Sequence, residues 1–132
     1  MGKPEPSMDA WLAEAKQDPA AARCGMFLTH NGIVRITPKA QIREGVDGLG
    51  PVSCVEFSYD GEGLKKAEEA TLAMDGIYYV RTWLNEGAIE VGGSLMYVLI
   101  GGDIRPHVID ALQSLVGTIK NELVVEKEVL SR

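Results

Sequence analysis

The run SLMYVLIGGDIRPHVIDALQSLVGTIK, residues 94 to 120, joins a strand, a glycine turn and a long helix. Ser94 to Ile100 is almost wholly apolar and reads as a strand. Gly101-Gly102-Asp103 then turns the chain. From there Ile104, Val108, Leu112, Leu115 and Ile119 recur at the 3.6-residue period of a helix, and Ile109 and Val116 widen the stripe. The helix is expected from about Ile104 to Lys120. Asp103 is its expected N-cap, and Pro106 falls in the first turn, where a missing N–H costs little.

Elements on either side extend this unit. Upstream, Ile77 to Leu84 is a β-branched and aromatic strand, followed by Asn85-Glu-Gly, a short Ala88-Ile-Glu-Val segment and Gly92-Gly93. Leu64 to Met74 reads as a helix with Leu64, Ala67, Thr71 and Met74 on one face, and residues 52 to 59 alternate as a strand. Between Pro38 and Pro51 the pattern lapses. Gly45, Gly48 and Gly50 are interleaved there with Lys39, Arg43, Glu44 and Asp47. Structureless stretches of this length are usually mobile or functional. Residues 24 to 36 have strand character around Asn31-Gly32, which marks either a hairpin or a bulge in one continuous strand. Ser7 caps a short helix carrying Met8, Trp11, Leu12 and Ala15, which Pro19 ends or restarts. Leu123 to Leu130 closes the chain as a strand. This order predicts an α+β fold, with helices packed on a largely antiparallel sheet, in a single domain over residues 1–132.

Bulk composition removes several classes of function. The 132 residues carry 13 Lys and Arg against 19 Asp and Glu, a net charge of −6. A field of that sign opposes broad binding to nucleic acid or anionic membranes, so neither is an expected partner. No stretch approaches the ~18 apolar residues of a membrane span, and the first residues lack an apolar signal core. The reading is cytoplasmic. Cys24 and Cys54 sit in apolar, strand-like surroundings without a CxxC motif, and His30 and His107 lie in different segments. Buried free thiols are expected, with no metal site and no cofactor.

Chemistry is expected from a few cations. Arg35 interrupts an apolar strand, Arg105 lies in the first turn of the long helix, Lys120 ends that helix, and Lys127 lies within the last strand. Each alone has an ordinary explanation as a surface or edge-strand charge. Gly101-Gly102-Asp103 before a helix also resembles an anion-binding turn, although an acidic cap would compete with an anion.

Read together, these segments resemble the large, catalytic subunit of molybdopterin synthase. Gly25-Met-Phe-Leu-Thr-His-Asn-Gly32-Ile-Val-Arg35 is similar to that family's Phe-x-Gly-x-Val-Arg strand. Val55-Glu56-Phe57 looks like its next strand, and Gly87-Ala-Ile-Glu-Val-Gly92 like a later glycine turn. Arg105 stands where the family has the arginine of a His-Arg pair, and Lys120 and Lys127 keep the spacing of its two essential lysines. The likeness runs roughly from Met8 to Val129. His30 replaces a usual Phe, Leu84-Asn85 a His-Arg pair, Ile104 a histidine, and Leu123 to Glu126 an Ala-Pro-aromatic-Trp run. Glu126 adjoins Lys127, where a carboxylate would neutralise the lysine or raise its pKa.

The resemblance implies an α/β-hammerhead-like fold and sulfur transfer from a thiocarboxylated, ubiquitin-like small subunit ending in Gly-Gly. The acceptor would be cyclic pyranopterin monophosphate, in molybdenum cofactor biosynthesis. Lys120 and Lys127 would be the catalytic pair, with Arg35, Arg105 and His30 binding the anionic substrate. One helix from Arg105 to Lys120 would separate those two residues by roughly 22 Å, too far for one pterin phosphate, so Arg105 would serve another site or come from a second copy in a homodimer. The alternative is a degenerate, non-catalytic relative acting as a dimeric binding or assembly module.

Overall fold

The computed structural model describes residues 2–131. It contains α1 (Met8–Gln17), a 3-10 turn (Pro19–Arg23), β1 (Met26–Ile33), α2 (Lys39–Arg43), β2 (Val52–Tyr59) and α3 (Gly61–Leu72). Then come β3 (Ile77–Leu84), β4 (Gly87–Glu90), β5 (Ser94–Gly102), α4 (Arg105–Thr118), a π-turn (Ile119–Leu123) and β6 (Val124–Leu130). The strands form two three-stranded antiparallel sheets, ordered β1-β5-β3 and β4-β2-β6.

All nine residues of β5 are buried, because both faces of the first sheet are covered. Met96, Val98 and Ile100 point into the main core, against Val108, Ala111, Leu115 and Ile119 of α4 and the π-turn and against Val55, Phe57 and Ile89 of the second sheet. Tyr97 and Leu99 point the other way, onto Trp11 and Ala15 of α1. Trp11 and Trp83 both meet the Tyr97 ring edge-on, at centroid distances of 6.1 and 5.6 Å. Arg81 lies over Trp11 at 4.4 Å and pairs with Glu14 at 2.6 Å, tying α1 to β3.

The helices begin where short polar side chains can cap them. Ser7 Oγ accepts from the Ala10 amide at 3.2 Å, and Asp60 Oδ1 accepts from Gly63 at 3.1 Å. The second cap starts α3 at Gly61, three residues before the first apolar member of its stripe. Gly102 lets the end of β5 approach its neighbours. A Cβ there would lie 2.5 Å from the Gly76 carbonyl oxygen and 2.6 Å from Val108 Cγ2. Residues ahead of α1 run across the β3–β4 corner. The Lys3 amide donates to Asn85 Oδ1 at 2.7 Å, its ammonium donates to Tyr59 Oη and the Leu84 carbonyl, and the Tyr97 hydroxyl donates to Glu5 at 2.7 Å.

Several expectations are corrected. Ile104, not Asp103, is the N-cap of α4; the Asp103 carboxylate accepts from the Ile104 amide at 2.6 Å and contacts His107 Nδ1 at 2.8 Å. That pair holds the Asp103 carboxyl below its usual pKa. Ile104 is 52% exposed, since the extended N-cap residue lies outside the helical period. The long helix ends at Thr118, and Lys120 sits in the π-turn beyond it. Residues 26–33 form one strand with an irregularity at Gly32/Ile33, so Asn31-Gly32 marks a bulge and not a hairpin. The segment 38–51 contains α2 and is therefore not structureless. Cys24 and Cys54 are free but only half-buried.

Replacing Leu99 with alanine removes a side chain that is 0% exposed beneath α1. Urea denaturation should show a loss of about 3 kcal/mol. Val125→Ala, at a position 68% exposed, should cost less than about 0.5 kcal/mol.

Candidate functional site

The chain leaves β1 by two hydrogen bonds to the β4–β5 turn, Val34 N–H to the Gly93 carbonyl at 3.0 Å and Gly92 N–H to the Val34 carbonyl at 2.8 Å. Val34 is thereby buried and Arg35, the next residue, faces outward. Its Nε donates to the Thr37 carbonyl at 3.1 Å, which folds the guanidinium back over the turn. Pro38 is buried, and α2 begins at Lys39. Pro38 has no side chain able to cap α2. Instead Glu128 of β6 accepts from the Lys39 amide through both carboxylate oxygens, at 3.2 and 3.1 Å. The Lys39 ammonium forms an ion pair with Glu126, whose side chain is 8% exposed.

A cleft results where β1, α2, β6 and the π-turn meet. Arg35, Lys39 and Lys120 line it together with Glu126 and Glu128, over an apolar floor of Val34, Val55 and Leu95. Three cations therefore face two carboxylates. An anion entering here would meet a guanidinium and two ammonium groups, the donor types suited to phosphate oxygens. Among the described residues no three His, Cys, Asp or Glu side chains converge on a common point.

Of the residues singled out from sequence, Arg35 and Lys120 share this cleft. His30 lies behind it on β1. Its imidazole is folded over Gly32, where a Cβ would sit 3.5 Å from Nε2, and Nε2 is buried with no hydrogen-bond partner among the described residues. Burial lowers the His30 pKa below its ordinary value, and the nearby Lys120 ammonium lowers it further. Both effects favour the uncharged imidazole over the charged form.

Lys127 lies elsewhere. Along β6 the half-buried Val124, Glu126 and Glu128 alternate with the exposed Val125 and Lys127. The glutamates therefore face the cleft, while Lys127 stands on the opposite face of the second sheet, across from Glu56 and beside Ser58, Ala88 and Val125. Glu126 accordingly pairs with Lys39, not with the neighbouring Lys127. Arg105 opens α4 at the end remote from Lys120 and takes no part in the cleft. Sequence reasoning passed over Lys39, one charge among several in residues 38–51. Its contacts are with residues 87 and 89 positions away, and no local pattern signals them.

The His30 environment has a testable consequence. Its folded pKa lies below the ordinary 6.5. As pH falls through that value, the unfolded chain gains a proton that the folded chain refuses, so stability declines until the folded pKa is reached. Imidazole shifts followed by NMR should give a His30 midpoint below 6.5, and Lys120→Gln should move it upward. An unmoved midpoint would mean that Lys120 does not face His30.

Comparison with known proteins bears on the fold. A scan against protein-family models finds no match, and a search of curated proteins finds none. Solved structures do match. The molybdopterin synthase of Staphylococcus aureus superposes with a TM-score of 0.73 at 14% identity, over 96% of this chain and 88% of that one. The molybdopterin cofactor biosynthesis protein E of Burkholderia multivorans gives 0.71 at 15% identity, over 98% and 84%. A complex of subunits 1 and 2 of the molybdopterin-converting factor of Helicobacter pylori gives 0.66 at 15%, over 95% and 80%. At such identities the likeness is one of architecture: two antiparallel sheets and packed helices, arranged as in the MoaE-type large subunits of molybdopterin synthase, are the fold of this chain.

Proposed function

We propose that the chain acts in molybdenum cofactor biosynthesis as a divergent molybdopterin synthase large subunit. It would move sulfur from the C-terminal thiocarboxylate of a small ubiquitin-like subunit to a cyclic pyranopterin monophosphate. The observation that carries the reading is the meeting of Arg35 and Lys120 in one cleft of a protein with this fold. A solved neighbour is itself a two-subunit complex, which supports a small protein partner.

The cleft residues suit the steps required. The thiocarboxylate sulfur forms a bond to a pterin carbon, and that carbon's bond to oxygen breaks, the oxygen leaving on the phosphate or as water. Water cleaves the acyl C–S bond, leaving a carboxylate on the small subunit and the sulfur on the pterin. Negative charge passes through both centres. Arg35 would hold the phosphate, and its fork geometry can give two parallel N–H···O bonds. The Lys120 ammonium would stabilise the developing charge and exchange protons with the reacting groups. The apolar floor of Val34, Val55 and Leu95 limits water behind the reacting atoms and strengthens those electrostatic interactions. Arg105, at the far end of α4, would serve the cleft of a second copy, which makes the working unit a homodimer with composite sites.

A non-catalytic dimeric module of the same fold is favoured by one observation, the Lys39–Glu126 ion pair inside the cleft, since a carboxylate there opposes anion binding. Reconstitution with a thiocarboxylated small subunit and the pterin precursor separates the two readings. Dithiolene formation is expected in wild type and should fall about 10²- to 10⁴-fold in Lys120→Ala. A wild type that binds the small subunit yet forms no dithiolene establishes the module, and activity unchanged in Lys120→Ala removes the mechanism. Light scattering should give the mass of two chains.

A further inference from the structure

We propose that Lys39, not Lys127, is the second lysine of this anion cleft, and that it binds a phosphate monoester jointly with Arg35 and Lys120. The inference deepens the functional reading above and rests on it only for the identity of the substrate.

Three observations carry it. The first is the strand alternation of β6. Even-numbered residues 124, 126 and 128 face the cleft side and 125 and 127 face away, so Lys127 cannot enter without a one-residue slip of the β2–β6 register. The second is that Lys39 is already inside, lining the cleft with Arg35 and Lys120. The third is how it is held. Its backbone amide is fixed by both oxygens of Glu128, and its ammonium is fixed by Glu126, while the side chain keeps 38% of its exposure.

That arrangement leaves binding capacity. An ammonium has three N–H donors, and the contact with Glu126 uses one of them. The others are free to meet phosphate oxygens while the ion pair persists, so Glu126 does not have to be left buried and unpaired when the ligand arrives. Glu126 is then a positioning residue: it aims the Lys39 ammonium across the cleft. The three cations outnumber the two carboxylates, and a phosphate monoester at neutral pH carries about −1.5 to −2 charges on three acceptor oxygens. The lysine arrives on a separate segment, α2. It thereby supplies the amine that seven-residue spacing assigns to the last strand.

Inorganic phosphate is the probe. Calorimetric titration of the full chain at low ionic strength compares wild type with Lys39→Gln and Lys127→Gln, which lose the same charge and so alter the long-range field alike. Lys39→Gln should weaken phosphate binding about tenfold or more, and Lys127→Gln should stay within about twofold. Because Lys39→Gln strands a buried Glu126, the double variant Lys39→Gln/Glu126→Gln, which removes both partners, should also bind about tenfold more weakly. Equal losses in Lys39→Gln and Lys127→Gln, full affinity in the double variant, or no phosphate binding by wild type would each overturn the proposal. Loss of phosphate binding in Lys39→Gln in a protein that forms no dithiolene would defeat the sulfur-transfer reading and leave this one standing.

Discussion

No backbone group of β5 can turn to water, because the strand is buried along its whole length, so each must be satisfied by β1 on one side and β3 on the other. Its side chains face two different covers. Met96, Val98 and Ile100 require α4 and the second sheet, whereas Tyr97 and Leu99 require α1. That double demand places α1 and α4 on opposite faces of one sheet. It also fixes the end of α4, since Ile119, 0% exposed, must still reach the core. Lys120 follows immediately and is delivered to the rim of that core, where the cleft opens. The site is thus a by-product of how β5 is covered.

Much of this architecture was legible because burial writes periodicity into sequence. The apolar run of β5, the stripe Val108, Leu115 and Ile119, and the alternation of β2 all follow from period 2 or 3.6. The errors fall where period does not apply. At an N-cap, polar composition points to Asp103, but the dihedral angles and the His107 ring draw its carboxylate into a different set of contacts and leave Ile104 as the half-in residue. Asn31-Gly32 carries the same letters in a hairpin and in a bulge; the partner strand β5 settles the matter by pairing with residues on both sides of it.

The cleft was legible only in part, for a related reason. Arg35 and Lys120 lie at ends of elements, and both line the cleft. Counting seven residues from Lys120 crosses a π-turn and then enters a strand, two segments with different rotation per residue. Whether the seventh side chain lands on the near or far face depends on the turn's geometry, which the sequence of residues 119–123 does not reveal. Lys39 reaches the cleft through contacts with Glu126 and Glu128 alone, a tertiary matter without local signature.

The covering of Tyr97 has an optical corollary. The chain has two tryptophans, and both lie edge-on against that one ring, in the layer shared by α1 and β3. Indole emission therefore reports on a single side of the first sheet. Detachment of α1 would shift the fluorescence maximum even with the remaining layers intact, whereas events in the lysine-lined cleft, which no indole lines, would pass spectroscopically unseen.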